Sequence, residues 1–172
     1  ALANNGGQDG KEEEWEKEAL EKSDAKTYRG LAARMNFLSL DCPDLQFPIK
    51  ETSKEMARPM VGSWGRMKKV SRYLLNRKAI VWDFRWQDEP SFSYLSTDSD
   101  WGGTQKDRRS TSGGVWMLGS HCIKTWSSTQ GAYALSSAEA ELYGMVEGVT
   151  RAKGLKSLAW DLGFRSMDNV IK

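Results

Sequence analysis

With 172 residues, 39% of them hydrophobic and 28% charged, the chain is long enough to bury a real core and has the composition of an ordinary globular protein. Its two cysteines, Cys42 and Cys122, stand far apart, which excludes a disulfide framework and a paired-cysteine metal motif and fits a reducing compartment. The net charge of +2 conceals an uneven distribution, because seven acids fall between Glu12 and Asp24 while Ala57 to Trp82 carries seven basic residues and no acid.

No early apolar leader and no run of roughly 18 apolar residues occurs, so the sequence supports neither secretion nor a membrane span, and an intracellular place in cytoplasm or nucleus is expected. The chain begins at Ala, which suggests a piece of a longer translation product. Residues 1–10 have no periodicity and read as a disordered lead-in; Lys11 to Lys22 alternates acids and lysines and reads as a linker or a short solvated helix. From Asp24, Tyr28, Leu31, Met35 and Leu38 recur at helical spacing until Asp41-Cys42-Pro43 stops them. Pro43 then opens a second helix to about Met56, and Pro59 a third.

On the third helix Trp64, Met67, Val70 and Leu74 form the predicted buried stripe. Arg66, Lys69, Arg72 and Arg77 occupy the other faces, either as a solvated surface or as a basic track for the phosphates of a nucleic acid. Ala79 to Trp86 reads as a strand, Asp88-Glu89-Pro90 as a turn, and Ser91 to Asp98 as the next strand. Gln105 to Ser110 suits a hairpin tip; Val115 to Leu118 and His121 to Ser127 read as two further strands around a Gly119-Ser120 turn. Trp82, Trp116 and Trp126 are expected in the core, and His121 at a turn or strand edge. Asp107 to Arg109 reads as a solvated turn.

Ser136 to Glu139 has the form of a capping box, so a helix is predicted from about Ser137. Leu142, Met145, Val146 and Val149 supply its apolar stripe, with Glu141 at the edge, and Glu147 is read as exposed. Gly154 is expected to divide this helix and Gly163 to end it. Asn169 to Lys172 looks like the start of one more strand. Phe92, Tyr94, Ser96 and Asp98 share one parity, so Asp98 is expected on the pleat face that carries two aromatics. Asp98 and Glu141 would then both face the seam between a strand and a helix, where two acids call for a cation between them.

TDSDWGG, KDRRSTSGGVWMLGS, IKTWSS and ALSSAEAELYGM, in that order between about Ser93 and Phe164, resemble the ribonuclease H domain of Copia-type LTR retrotransposon Pol polyproteins. YRGLAARMNFLSLDCPDLQF and WGRMKKVSRYLLN are similar to the end of the reverse transcriptase and the connection in the same polyproteins. The resemblance implies a mixed α/β fold: a linker at 1–23, a helical reverse transcriptase or connection segment at 24–78, and at 79–172 a ribonuclease H-like domain lacking its C-terminal part. It implies cleavage of RNA in RNA–DNA hybrids with Mg2+ or Mn2+, and the reverse transcriptase and integrase domains as partners.

By motif, Asp98 matches that family's first acid and Glu141 its second, each as catalytic residue and metal ligand. Asp100 is the alternative to Asp98. The third and fourth acids would fall beyond Lys172, so the resemblance implies weak metal binding and little activity for this chain alone. The alternative is a non-catalytic nucleic-acid-binding remnant that uses the basic helix.

Overall fold

The computed structural model describes residues 17–77, 79–103, 107–164 and 168–171. The expected lead-in and most of the acidic linker therefore lie outside the described residues. Two compact units are formed, one running through Ser39 and taking in Pro48–Ala79, the other taking in Leu40–Phe47 and the chain from Ile80 onward.

The first unit is helical. Helix α1 spans Lys22–Leu38, α2 spans Pro43–Lys54 and α3 spans Val61–Asn76, with the opening turns of α2 belonging to the second unit. Ala25, Tyr28, Ala32 and Met35 recur at three- and four-residue steps on α1 and are all buried, which is the 3.6-residue period expected of an amphipathic helix. Tyr28 is completely buried, and its hydroxyl donates to the Thr52 carbonyl at 2.7 Å. Its ring lies 6.0 Å from that of Trp64. Burial, reinforced by the nearby Glu55 carboxylate, pushes its pKa up to about 12.

Pro59 stands two residues before α3 and not in its first turn. The Met60 amide donates to the buried Ser63 hydroxyl at 2.9 Å, which caps the helix start. Ala19 pairs with Met60 through Leu20 N–H to the Pro59 carbonyl (3.0 Å) and Val61 N–H to the Glu18 carbonyl (2.9 Å). The end of the acidic stretch is thus paired backbone and not only a linker.

In the second unit, β1 (Phe92–Ser99), β2 (Thr111–Leu118) and β3 (His121–Thr129) form an antiparallel meander. Helix α4 (Ser137–Asp161) follows, and β4 (Asp168–Ile171) returns parallel to β1, giving a mixed sheet of order β3-β2-β1-β4. The last strand coincides with the one expected near Asn169. Leu95, Trp116, Trp126, Ala152 and Ala159 form the buried core between sheet and helix. Gly114 makes room for Trp126: a Cβ there would sit 2.0 Å from the indole ring.

Three expectations change. First, Ala79 to Trp86 is not a strand. It is an extended strap held by side chains: Trp82 Nε1 donates to the Asp41 carbonyl, and the Gln87 amide clasps the β2–β3 turn through the Leu118 carbonyl and the Ser120 amide. Alternating residues fit a strand, but a strand needs a ladder partner, and none pairs with this segment among the described residues.

Second, α4 is continuous through Gly154 for 25 residues, because one exposed glycine costs only about 1 kcal/mol against the cooperativity of a long packed helix. It ends as expected at Gly163, whose φ of +97° permits a closing turn with Phe164 N–H on the Ala159 carbonyl and Gly163 N–H on that of Trp160. Third, α4 buries Ala140, Gly144, Gly148, Ala152 and Ala159, whereas Leu142, Met145, Val146 and Val149 lie exposed on its far side. The contact forms through small residues because they let the helix axis approach the strand. A Cβ on Gly148 would stand 2.5 Å from Thr97 Cγ2 and 2.8 Å from Leu95 Cδ2. Among the described residues, no helix is long and apolar enough to cross a membrane.

Candidate functional site

The odd positions of β1 face α4: Ser93 and Leu95 are fully buried, and Thr97 and Ser99 lie against Gly148 and Gly144. Asp98 therefore projects from the opposite pleat face, and its carboxylate is exposed. Its cross-strand partner is Gly113, which offers no side chain, and β4 pairs with β1 only from Phe92 to Leu95. The parity assignment with Phe92 and Tyr94 holds, but that face is the one away from the helix. A two-residue period shows which side chains share a face and not which face the helix covers.

Glu141 lies in the opening turns of α4 and is half-buried. It stands three and seven residues before Gly144 and Gly148, on the small-residue side that meets the sheet. The position at which a Gly144 Cβ would stand lies 3.8 Å from the Asp98 carbonyl oxygen and 3.7 Å from Ser99 Cβ. The start of α4 thus runs beside the end of β1. Asp98 and Glu141 come from one end of the sheet, but they do not both point into the seam. Neither makes a hydrogen bond or ion pair among the described residues. No three Asp, Glu, His or Cys residues come together in a metal-holding group among those described.

Asp100 has other work. Its amide donates to the Thr111 carbonyl at 3.0 Å, its carboxylate accepts from the Thr111 amide, and a Cβ on Gly103 would fall 2.1 Å from that carboxylate. It closes the base of the β1–β2 connection, which leaves Asp98 as the uncommitted acid of the pair. The Asp107 carboxylate accepts from the Arg109 amide at 3.2 Å, a turn contact as expected.

Capping of α4 differs in one detail from the expectation. Ser136 Oγ accepts from the Glu139 amide at 3.2 Å, while Glu139 reaches one residue further back, to the Leu135 amide at 2.7 Å. That backbone bond, with a second from the Tyr143 hydroxyl at 2.7 Å, holds the Glu139 carboxyl below its ordinary pKa and raises that of Tyr143.

Glu147 is not the exposed residue its position suggested. It is half-buried, and each of its oxygens accepts from Ser128 Oγ at 2.7 Å. Arg151 donates to it at 2.7 Å while stacking 5.0 Å over the Trp126 ring, so one chain of contacts ties α4 to β3. Spacing offered a signal here, because Glu147 and Arg151 flank Gly144, Gly148 and Ala152. His121 is structural: Nε2 donates to the Arg85 carbonyl at 2.6 Å, Nδ1 accepts from Gln87 at 3.0 Å, and Phe84 sits edge-on.

The four basic candidates of α3 separate. Arg66 forks onto Glu55, and Arg77 donates to the Tyr73 hydroxyl at 3.1 Å and lies over its ring. Lys69 and Arg72, joined by Lys68, are exposed and make no ion pair among the described residues.

Neither a family model nor a solved structure matches the chain. Among curated proteins it is 30% identical over 142 residues, 83% of its length, to the retrovirus-related Pol polyprotein from transposon RE2 of Arabidopsis thaliana. It is 28% identical over 143 residues to that from transposon RE1 of the same plant. It is also 30% identical over 122 residues to the secreted RxLR effector protein 161 of Plasmopara viticola, covering 71% of this chain and 85% of that protein. The chain spans about a tenth of the length of the two Pol polyproteins, 10% in each case. With similarity running through most of both units, the chain is homologous to a stretch of the retrovirus-related Pol polyproteins of transposons.

Proposed function

We infer that the unit from Ile80 onward is a ribonuclease H-like domain of Copia type which, within a longer polyprotein, cuts the RNA strand of an RNA–DNA hybrid. The observation that carries this reading is the joint placement of Asp98 and Glu141: one at the end of a central strand, the other where the following long helix passes that strand. The topology supports it, since a three-strand meander followed by a helical crossover to a parallel fourth strand suits the fold that the sequence resembles. The engagement of Asp100 with Thr111 supports Asp98 over its neighbour.

Two carboxylates with no cation paired to them among the described residues are hard oxygen donors and suit Mg2+ or Mn2+ in kind. They fall short in number, because no third acid joins them among the described residues. The ions, when bound, supply an activated water and stabilise charge at the departing 3' oxygen. The chain's part is to hold Asp98 on an ordered strand and Glu141 on a capped helix, so that both carboxylates stay in place. This chain alone is expected to bind metal weakly and to cleave little or not at all. The reverse transcriptase and integrase domains are the expected partners in the longer polyprotein.

The test is a Mn2+ titration followed by paramagnetic broadening of amide resonances. Broadening centred on Gly113 and Gly144, and lost in Asp98→Asn/Glu141→Gln, supports the reading. Broadening centred elsewhere, or unchanged in that variant, overturns it. In a longer polyprotein that carries this chain, Asp98→Asn should abolish hybrid cleavage while Asp100→Asn retains part of it.

A second reading, nucleic-acid binding by α3, draws on the open cations Lys68, Lys69 and Arg72 alone, since Arg66 and Arg77 are engaged within their own unit. Binding that falls steeply with salt, ignores Mg2+ and is lost in Lys69→Ala/Arg72→Ala would favour it.

A further inference from the structure

At the C-terminal half of α4, away from Asp98 and Glu141, a cavity of about 210 Å³ opens between helix and sheet. Its wall is apolar, with Trp116 and Leu118 of β2, Ile123 of β3, Leu155 and Leu162 of the helix end, and Phe164 beyond it. An engineered apolar cavity of about 150 Å³ suffices to bind benzene, so this one accepts a phenyl ring or a branched aliphatic side chain.

Two lining residues mark what such a ligand carries. Trp116 is 5% exposed and its side chain forms part of the apolar wall, so an anchor seated in the cavity lies against it. Glu89 is the charged residue in the lining, and with Pro90 and Phe164 it also borders a neighbouring open cavity that includes Asp88. The cation beside them is spoken for: Arg85 pairs with Asp83 at 2.7 Å. The mouth therefore presents two carboxylates without a described partner beside an apolar hole.

We propose that this cavity is a peptide-docking site that takes a bulky apolar side chain followed by a lysine or arginine. The anchor fills the hole against Trp116, and the basic residue lies against Glu89 and Asp88. This site is independent of the nuclease reading.

Acetyl-Phe-Lys-amide, acetyl-Phe-Glu-amide and acetyl-Ala-Lys-amide are the probes, titrated at low salt against the full chain and its Glu89→Gln variant. Glu89 is exposed, beyond the strap and outside any helix or strand, so the variant keeps its fold. The Trp116 indole N–H resonance is expected to move with Phe-Lys while that of Trp126, equally buried but outside the cavity, stays. Phe-Lys should bind about two- to five-fold tighter than Phe-Glu, the range for a partly exposed charge pair, and Glu89→Gln should bring that ratio near one. A Trp116 indole signal that does not move at millimolar Phe-Lys overturns the site. Equal movement with Ala-Lys overturns the apolar anchor. A ratio that survives Glu89→Gln overturns the recognition of the basic residue.

Discussion

Helices α1 and α4 both carry apolar residues at helical spacing, yet they use them in opposite ways. On α1 the large ring of Tyr28 is completely buried beside Ala32 and Met35. On α4 the large residues Leu142, Met145, Val146 and Val149 are outside, and the contact with the sheet runs through Ala140, Gly144, Gly148 and Ala152. Periodicity identifies a face that is able to be buried. Which face is buried depends on how near the partner backbone comes, and that distance is set by the residues with least to insert.

The sharpest way to break the comparison is Gly148→Leu. A side chain there meets Thr97 and Leu95 well inside contact distance, and overpacking of this kind costs typically 1 to 3 kcal/mol and sometimes more. A denaturant melt should show the loss. Leu142→Gln, on the open face, should change stability by no more than about 0.5 kcal/mol. Equal losses at the two positions would mean that the large-residue stripe is the buried one after all.

The same question put to α1 is Tyr28→Phe, which keeps the ring and leaves the Thr52 carbonyl without its donor. About 1 to 3 kcal/mol should be lost. The hydroxyl also gives a pH signature. Its folded pKa of about 12 lies above the ordinary tyrosine value of 10.0, so the native state holds the proton more tightly. That contribution is fully present below pH 10.0 and lost as pH rises toward 12. Alkaline destabilisation in this window should be absent in Tyr28→Phe.

Smaller and opposite in sign is Gly154→Ala. No atom lies within 4 Å of the Cβ it would gain, and the helix continues through it, so a gain of about 0.5 to 1 kcal/mol is expected. Gly144, where a Cβ would meet Ser112 Oγ at an ordinary 3.6 Å, should tolerate Ala, unlike Gly148 four residues on. The three glycines of one helix thus separate close approach, ordinary contact and open space.

These contrasts also explain what was legible in the sequence. Local chemistry was: the Ser136 cap, the Gly163 stop, the end of α1 before Pro43 and the Gly119 turn follow from backbone requirements carried by one or two residues. Parity was legible too, which is why Asp98 is correctly grouped with Phe92 and Tyr94. Which face meets a partner is not written in the spacing, so the sequence points Asp98 to the seam, Glu147 to solvent, and Leu142 and its neighbours to the core, and the fold reverses each. The strap at 79–86 failed for the same reason, because alternating residues state a readiness to pair and a neighbouring strand decides whether pairing occurs. Of the candidate site, residue identity is carried by motif, whereas the commitment of Asp100 to Thr111 and of Arg66 to Glu55 arises only from the fold, since each joins residues 11 apart.

The smallest expected effect belongs to the start of α4, where the helix owes its place to capping and not to either face. Glu139 accepts from the Leu135 amide and the Tyr143 hydroxyl, and both bonds favour its charged form, so its folded pKa lies below the unfolded one. The sign follows: the contribution is present above the unfolded carboxyl pKa and is lost as pH falls through the lowered folded value. Glu139→Gln should therefore flatten the acid side of the stability profile while leaving neutral-pH stability close to unchanged, because the carboxylate is solvent-screened and an amide oxygen still accepts from Leu135. Ser136→Ala, which removes the acceptor for the Glu139 amide, should instead lower stability at every pH by about 1 kcal/mol. An acid slope that survives Glu139→Gln would place the titrating group elsewhere. It would also mean that the start of α4 is held by its small-residue contact with β1, as the rest of the helix is.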